Sequence, residues 1–386
     1  MVGDDGAVTD TSSTPPEPVR WALAGYGSGG RIFHAPLIES APGLELAAVV
    51  TRSPERIEQL RRDHPGVPAV PDLEALADLG VRGVSISTPP ASHVELARRA
   101  LAAGLDVVVD KPFAPTAAEA AALLAEAERK GRLLIPYFNR RWDDDFRTVR
   151  RLVDSGRLGT VHRLTSRLDR FRPVKPGWPS DPDRGGGTLL DLGPHLIDQA
   201  LLLLGPAVTV YAELDTRRPT TGSGPAAEDE IQVHLRHASG ARSTLAAGLA
   251  SPATGPRFLV QGSDAGVRIE GFDVQEAQLK QGSSPLSLGD GWGVDPQRAA
   301  HLTAADGTEA TLPLDRGRWD GFYPAVAVAV LGDGPAPVDP RDAVATAAVI
   351  DAARESDRTG RARPVVVGPK RVSPAVRAAH QRPPSG

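Results

Sequence analysis

Three short runs in this 386-residue chain combine residue types that could act on a substrate. The first is Gly25-Tyr26-Gly27-Ser28-Gly29-Gly30, in which Gly25, Gly27 and Gly30 fit G-x-G-x-x-G. That pattern predicts a dinucleotide loop. The first glycine allows a tight turn, the second lets backbone approach a pyrophosphate, and the third packs a helix closely on a strand. The helix N-terminus then faces the anion, with Ser28 inside the loop. The second run is Asp110-Lys111-Pro112, directly behind the apolar Val107-Val108-Val109. An ammonium anchored there could polarise a hydroxyl or carbonyl and assist proton movement. The third runs from Gly185 to Asp198 and sets Asp191 and His195 four residues apart. Pro194 is comfortable only in the first turn of a helix, so that helix is expected to start between about Asp191 and Pro194. His195 is then a natural acid–base group near neutral pH, and Asp191 could orient it or bind a substrate hydroxyl. Each run also has a plain structural reading: a bare glycine turn, a surface lysine at a strand end, and a capping aspartate beside a packed histidine.

The cofactor choice is read at the end of the second predicted strand. An acid there holds the ribose 2′-hydroxyl of NAD. Here Val50 is followed by Thr51-Arg52-Ser53, with no acid. Arginine pairs with a 2′-phosphate and Ser or Thr can donate to it, so the residues favour NADP, with NAD left open. Ligands in open α/β sheets sit outside the carboxyl ends of the strands. Thr88, Pro89, Lys111 and Pro112 are therefore expected to face the cofactor, and His93 is assigned to the same group.

These groups need elements to hold them. Apolar runs at Val19–Ala24, Leu44–Val50, Val81–Ser87, Leu105–Val109 and Leu133–Phe138 predict strands. Helical stretches at Pro54–Asp63, Pro71–Leu79, Ser92–Ala103 and Thr116–Lys130 alternate with them. Thr116 and Glu119 form a capping-box signature. Alternation of this length predicts an α/β fold, a parallel sheet covered by helices on both faces. After about Phe146 the texture changes. Phe146–Ser155, Leu189–Leu204, Pro324–Leu331 and Arg341–Arg354 look helical, and Thr160–Phe171 looks strand-like. Val208–Glu213, Ile231–Arg236, Arg242–Gly248, Arg257–Gln261 and Val267–Glu270 predict strands joined by short turns, hence an antiparallel sheet. The division expected is a Rossmann domain over 19–138, an α+β domain over 139–340, a helix over 341–365 returning toward the first domain, and disordered tails at 1–18 and 366–386.

Composition narrows the chemistry further. Cysteine is absent, which removes disulfides, thiolate nucleophiles and thiolate-held metals. The net charge of −4 does not suit a nucleic-acid or anionic-membrane binder. No segment has the roughly 18 consecutive apolar residues of a membrane span, and the polar start does not read as a signal peptide. A cytoplasmic protein with no metal is expected.

Taken together, the glycine loop, Lys111-Pro112 and Gly186-Gly187 leading to Asp191 and His195 resemble the Gfo/Idh/MocA oxidoreductase family over about Val19–Arg363. Asp110 stands where that family usually has Glu. Phe33–Ile38, Asn139–Asp143, Asp169–Pro173, Asp191–Gln199 and Asp273–Leu279 are similar to its branch of NADP-dependent scyllo-inositol dehydrogenases. That branch often has His where this chain has Phe138. The resemblance implies Lys111, Asp191 and His195 as catalytic residues. It implies hydride transfer with a secondary alcohol of a polyol or sugar, and a half-open antiparallel sheet whose outer face builds a homodimer or homotetramer. Asn139, Arg140, Trp142 and Arg172 become candidate substrate residues, Trp142 as a stacking wall. An NAD-dependent sugar dehydrogenase, a glycosidase using transient oxidation, and a non-enzymatic nucleotide sensor remain as alternatives.

Overall fold

The computed structural model describes residues 17–174, 177–219 and 226–366. Apart from Glu17, Pro18 and Val366, the expected tails lie outside the described residues. Six strands form the first sheet: β1 (Val19–Ala24), β2 (Leu44–Val50), β3 (Ala69–Val70), β4 (Gly83–Ile86), β5 (Asp106–Val109) and β6 (Leu134–Pro136). Their order is β3-β2-β1-β4-β5-β6, and every neighbouring pair is parallel. The order reverses between β1 and β4, the place where such sheets bind ligands. Every residue of β4 and β5 is buried, as in strands covered on both faces.

The covering helices are α1 (Ala35–Glu39), α2 (Pro54–Asp63), α3 (His93–Ala102) and α4 (Ala117–Lys130). Ser53 caps α2 by accepting from the Arg56 amide, and Thr116 caps α4 by accepting from the Glu119 amide. The stretch expected to be helical at Pro71–Leu79 forms only a 3₁₀ turn, Glu74–Leu79. Its leucines, at 73, 76 and 79, repeat every three residues, which matches the tighter helix.

The second half contains helix α5 (Asp144–Asp154), strand β7 (Arg163–Arg167), and helices α6 (Thr188–Asp191) and α7 (Gly193–Leu204). Strands β8 (Ala207–Asp215), β9 (Glu230–His237), β10 (Arg242–Gly248), β11 (Phe258–Gln261) and β12 (Ala265–Ile269) follow. Next come α8 (Gln275–Lys280), α9 (Pro285–Leu288), β13 (Ala299–Ala304), β14 (Glu309–Pro313), α10 (Phe322–Leu331), α11 (Pro340–Thr359) and β15 (Arg363–Pro364). The nine strands order as β14-β13-β12-β11-β7-β10-β9-β8-β15. All pairs are antiparallel except β7 with β10. Those two are far apart in sequence, so no hairpin turn dictates their direction.

The single helix expected over 189–204 is broken at Leu192, which separates α6 from α7. Helix α11 ties the two sheets together. Arg354 donates to the Pro115 carbonyl and Asp351 accepts from the Ala117 amide, both beside α4. On the other side, Ser356 of the same helix accepts from the Ala212 amide of β8. Its Ala343 and Ala347 pack in the first core, while Val349, Ile350 and Ala353 pack in the second. Among the described residues no helix is long and apolar enough to cross a membrane.

Candidate active site

A cleft of about 660 Å³ opens at the carboxyl ends of β1, β4 and β5. That is the size of a small-molecule site. Gly25, Gly27 and Ser28 line one end. Gly25 has φ +97°, and a Cβ there would lie 2.5 Å from the Ser87 carbonyl oxygen. A Cβ on Gly30 would lie 2.0 Å from the Gly25 carbonyl oxygen, so Gly30 sits beneath the loop. A π-helical segment, Gly29–His34, continues into α1 and starts at this loop. A loop with no room for a side chain at Gly25 or Gly30, placed at a helix start, fits the pyrophosphate of a dinucleotide. Thr88 and Pro89 line the adjoining wall.

The residues after β2 divide differently from expectation. Arg52, expected to meet the cofactor, stands outside the cleft lining. Its Nε donates to the Pro71 carbonyl, 2.9 Å, its Nη2 lies 3.5 Å from Asp72, and its side chain is 75% exposed. Thr51 accepts from the Ser53 amide and Ser53 caps α2, so both shape the turn instead. Arg56, one turn into α2, does line the cleft, with Nη2 3.6 Å from where a Gly27 Cβ would sit. The helix starts at once after its cap, so its first turn carries the guanidinium over the loop. His93 also departs from expectation. Its ring is buried and faces two carbonyls, Pro112 at 2.9 Å and Thr88 at 2.8 Å. It braces the two cofactor-side turns from behind, and neither it nor Pro112 lines the cleft.

Lys111, Asp191 and His195 meet in the cleft. Lys111 Nζ donates to Asp191 Oδ1 and to the Asp191 carbonyl, the latter at 3.0 Å. Burial pulls the lysine pKa down, but Asp191 and Asp110 outweigh it, so the ammonium is held above its ordinary value. For Asp191, burial pushes up and Lys111 overcomes it, holding the carboxylate below the usual range. Burial, then Arg140 and Lys111, drive the His195 pKa well below that of an ordinary histidine. His195 is therefore neutral, its Nδ1 is buried, and neither ring nitrogen has a protein partner among the described residues. Asp191 binds Lys111 and does not orient His195. The break at Leu192 places the two residues on separate helical segments, so the four-residue spacing does not stack them.

Behind Lys111 runs a buried chain of hydrogen bonds. Trp21 Nε1 donates to Ser85 Oγ at 2.9 Å, and Ser85 Oγ lies 2.8 Å from the Tyr323 hydroxyl. That hydroxyl lies 2.6 Å from His34 Nδ1, and His34 Nε2 lies 3.3 Å from Asp110 Oδ2. An indole only donates and a carboxylate only accepts, so Trp21 donates at one end of the chain and His34 Nε2 donates to Asp110 at the other. Asp110 also accepts from Ser87 Oγ at 2.9 Å and from the Lys111 amide at 2.7 Å. The chain thus pins the turn that carries Lys111. The His34 bond, with Lys111 and His93, overcomes burial and holds Asp110 below the usual carboxylate range.

The far end of the cleft is lined by Asn139, Arg140, Arg170, Arg172, Glu276 and Lys280. Trp142, expected as a stacking wall, is not among them. It packs edge-on to Phe322 with ring centroids 5.6 Å apart, and its carbonyl accepts from the Arg318 amide. Trp178 and Trp319 line the cleft instead. Phe138 is buried under the Arg141 guanidinium, away from the wall. Arg56, Arg170, Glu276 and Lys280 were not singled out from sequence. Arg170 could have been found from the period-two spacing to Arg172, and Glu276 with Lys280 from their four-residue spacing. Among the described residues no group of three or more His, Asp or Glu is placed to hold a metal ion.

A sheet with this strand order, whose switch point faces a lysine and a neutral histidine, is what a dinucleotide-dependent oxidoreductase needs to work on a CH–OH group. Residues 19–138 match the model of the oxidoreductase family with NAD-binding Rossmann fold, and residues 146–268 match the GFO/IDH/MocA C-terminal domain. The chain belongs to the Gfo/Idh/MocA oxidoreductase family. It is 38% identical to the uncharacterized oxidoreductase YdgJ of Escherichia coli (strain K12), covering 88% of this chain and 96% of that one. It is 32% identical to scyllo-inositol 2-dehydrogenase (NADP(+)) IolW of Bacillus subtilis (strain 168), covering 89% and 95%. The solved structure of the YPO2259 oxidoreductase from Yersinia pestis superposes with a TM-score of 0.84 at 35% identity, covering 92% and 99%.

Proposed function

We propose that this protein is an NADP-dependent dehydrogenase moving a hydride between nicotinamide and a secondary alcohol or ketone of a cyclic polyol or sugar. The observation that carries this reading is the Lys111–Asp191 pair beside an unpartnered, neutral His195, in the cleft that the glycine loop opens. The absence of an acid after β2 and the approach of Arg56 to Gly27 support NADP. The name of the Bacillus subtilis relative supports a cyclic polyol.

Gly25, Gly27, Ser28, Thr88 and Arg56 would hold the cofactor, which supplies the hydride acceptor when bound. The chain's own residues handle the proton. His195 is neutral and can accept the hydroxyl proton of an alcohol. An ammonium has three N–H groups. Asp191 occupies two of them in Lys111, leaving one to stabilise the developing alkoxide. Asp191 Oδ2 has no partner among the described residues and can accept from a neighbouring substrate hydroxyl. In the reverse direction protonated His195 returns its proton to the ketone oxygen.

The test is a panel of inositols, aldoses and keto-sugars followed by nicotinamide absorbance with each cofactor. Turnover of scyllo-inositol or its ketone, faster with the phosphorylated cofactor, is expected. Glycoside hydrolysis without net nicotinamide turnover would replace the reading with a redox-assisted glycosidase. Cofactor binding without any turnover would replace it with a sensor.

A further inference from the structure

At the far end of the cleft, cations outnumber carboxylates. Glu276 accepts from both Nη atoms of Arg170 at 2.7 Å, from Arg140 Nη2 at 2.7 Å, from Arg172 Nη2 at 3.3 Å and from Lys280. More donors converge on it than the roughly four lone-pair sites of a carboxylate can serve. Arg140 has a second partner, Asp143 at 3.1 Å. Four cations therefore share two carboxylates. The deeper pair, Arg140 and Arg170, makes 2.7 Å contacts to Glu276 with side chains only 9% and 11% exposed, although the Nε of each has no hydrogen-bond partner among the described residues. The surplus falls on Arg172 and Lys280, whose side chains are 36% and 39% exposed. Neither has an ion-pair partner other than Glu276 among the described residues. At that exposure solvent reaches both side chains and can hydrate the surplus charge. A neutral substrate would displace the water and leave the charge uncompensated, whereas an anion would replace it.

We propose that the substrate carries an anionic group, a carboxylate or a phosphate, seated between Arg172 and Lys280, while Glu276 holds Arg140 and Arg170 in place beneath it. This rests on the dehydrogenase reading above and names the substrate class for the same site. The cluster is close enough to the reacting groups to act on them. Arg172 and Lys280 line the same cleft of about 660 Å³ as Lys111, Asp191 and His195. The anion thus sits within one small molecule's reach of the proton acceptor.

The experiment has a binding arm and a turnover arm. Calorimetry on NADP+-loaded protein compares glucuronate and glucose 6-phosphate with glucose and scyllo-inositol. Turnover is followed by absorbance for the same compounds. The charged members are expected to bind at least about tenfold tighter, with an advantage that shrinks as salt rises. In Arg172→Gln and Lys280→Met, which keep the stems, that preference should collapse while cofactor affinity holds. The carboxylate and phosphate arms distinguish the two sources of charge. Equal binding of charged and neutral members overturns the proposal, even if scyllo-inositol is turned over and the dehydrogenase reading stands. Loss of cofactor affinity in the two variants also overturns it, because the cations would then serve the cofactor's phosphates. Charge-selective binding with no nicotinamide turnover from any compound keeps the anion site and refutes the dehydrogenase reading instead.

Discussion

Lys111→Met removes the ammonium and keeps most of the stem. In the native protein two of the three ammonium N–H groups are held by the Asp191 carboxylate and carbonyl. One remains to meet a developing alkoxide. Losing a single pre-positioned donor of that kind costs about 10²–10³ in kcat, or about 3–4 kcal/mol. Coulomb's law gives a similar figure, about 4 kcal/mol for unit charges 4 Å apart at an effective dielectric of about 20. The two routes agree, so a fall in kcat of at least about a hundredfold is expected. Folding should suffer little. The Lys111 and Asp191 side chains are 23% and 48% exposed, so water takes over the carboxylate and the loss stays within about 1 kcal/mol. The assay is kcat at saturating NADP+ and alcohol, with cofactor affinity by fluorescence and thermal unfolding on the same preparation. A variant that keeps kcat within about tenfold of wild type, with normal cofactor affinity, would refute the role given to Lys111.

Other consequences follow from the same geometry. His195 must be neutral to accept a proton, and its pKa is lowered, so alcohol oxidation should hold level down through about pH 6.5 and fall only below it. Ketone reduction should rise as pH falls; an oxidation profile with its acid limb at neutral pH would contradict this. Arg56→Ala should weaken NADP binding by about tenfold and NAD binding far less, whereas Arg52→Ala should leave the ratio nearly unchanged. Equilibrium titration with both cofactors checks the pair, and the opposite order would return the phosphate contact to Arg52. Tyr323→Phe leaves His34 Nδ1 without its buried partner, at a cost of about 1–3 kcal/mol, visible as a fall of several degrees in Tm. An unchanged Tm would mean that the buried chain does not hold the Lys111 turn. Gly30→Ala drives a methyl into the Gly25 carbonyl and should abolish tight cofactor binding, read by fluorescence titration.

Much of the frame was legible because punctuation sits next to apolar runs. Pro42-Gly43 precedes β2, and Ser53-Pro54 caps and opens α2, so the bounds read from sequence, Leu44–Val50 and Pro54–Asp63, are those observed. Strands with weak contrast were not legible. β13 reads Ala-Ala-His-Leu-Thr-Ala, and its partner β14 is equally polar. At the site, Lys111 and His195 were readable because a strand end and a helix start point into one cleft. The approach of Arg56 to Gly27 was not, since it depends on how α2 is rotated over the loop. Nor was the pairing of His34 with Tyr323, 289 residues apart in sequence. The Glu276 cluster gathers side chains from the Asn139–Trp142 turn, the segment after β7, and α8. Only the assembled second sheet brings these together, and α8 carried no strong sequence signal of its own.

In the proposed reaction a carbinol carbon gives up a hydride in this cleft while His195 takes the proton. Stopped-flow mixing of NADP+-loaded protein with scyllo-inositol, glucose or glucuronate reads this directly at the reduced-nicotinamide band. With the reactive alcohol, wild-type protein should form reduced nicotinamide up to one equivalent per site in the first turnover. His195→Asn should bind the same cofactor and form it at least about a hundredfold more slowly. A first turnover in His195→Asn as fast as in wild type would show that His195 does not take the proton.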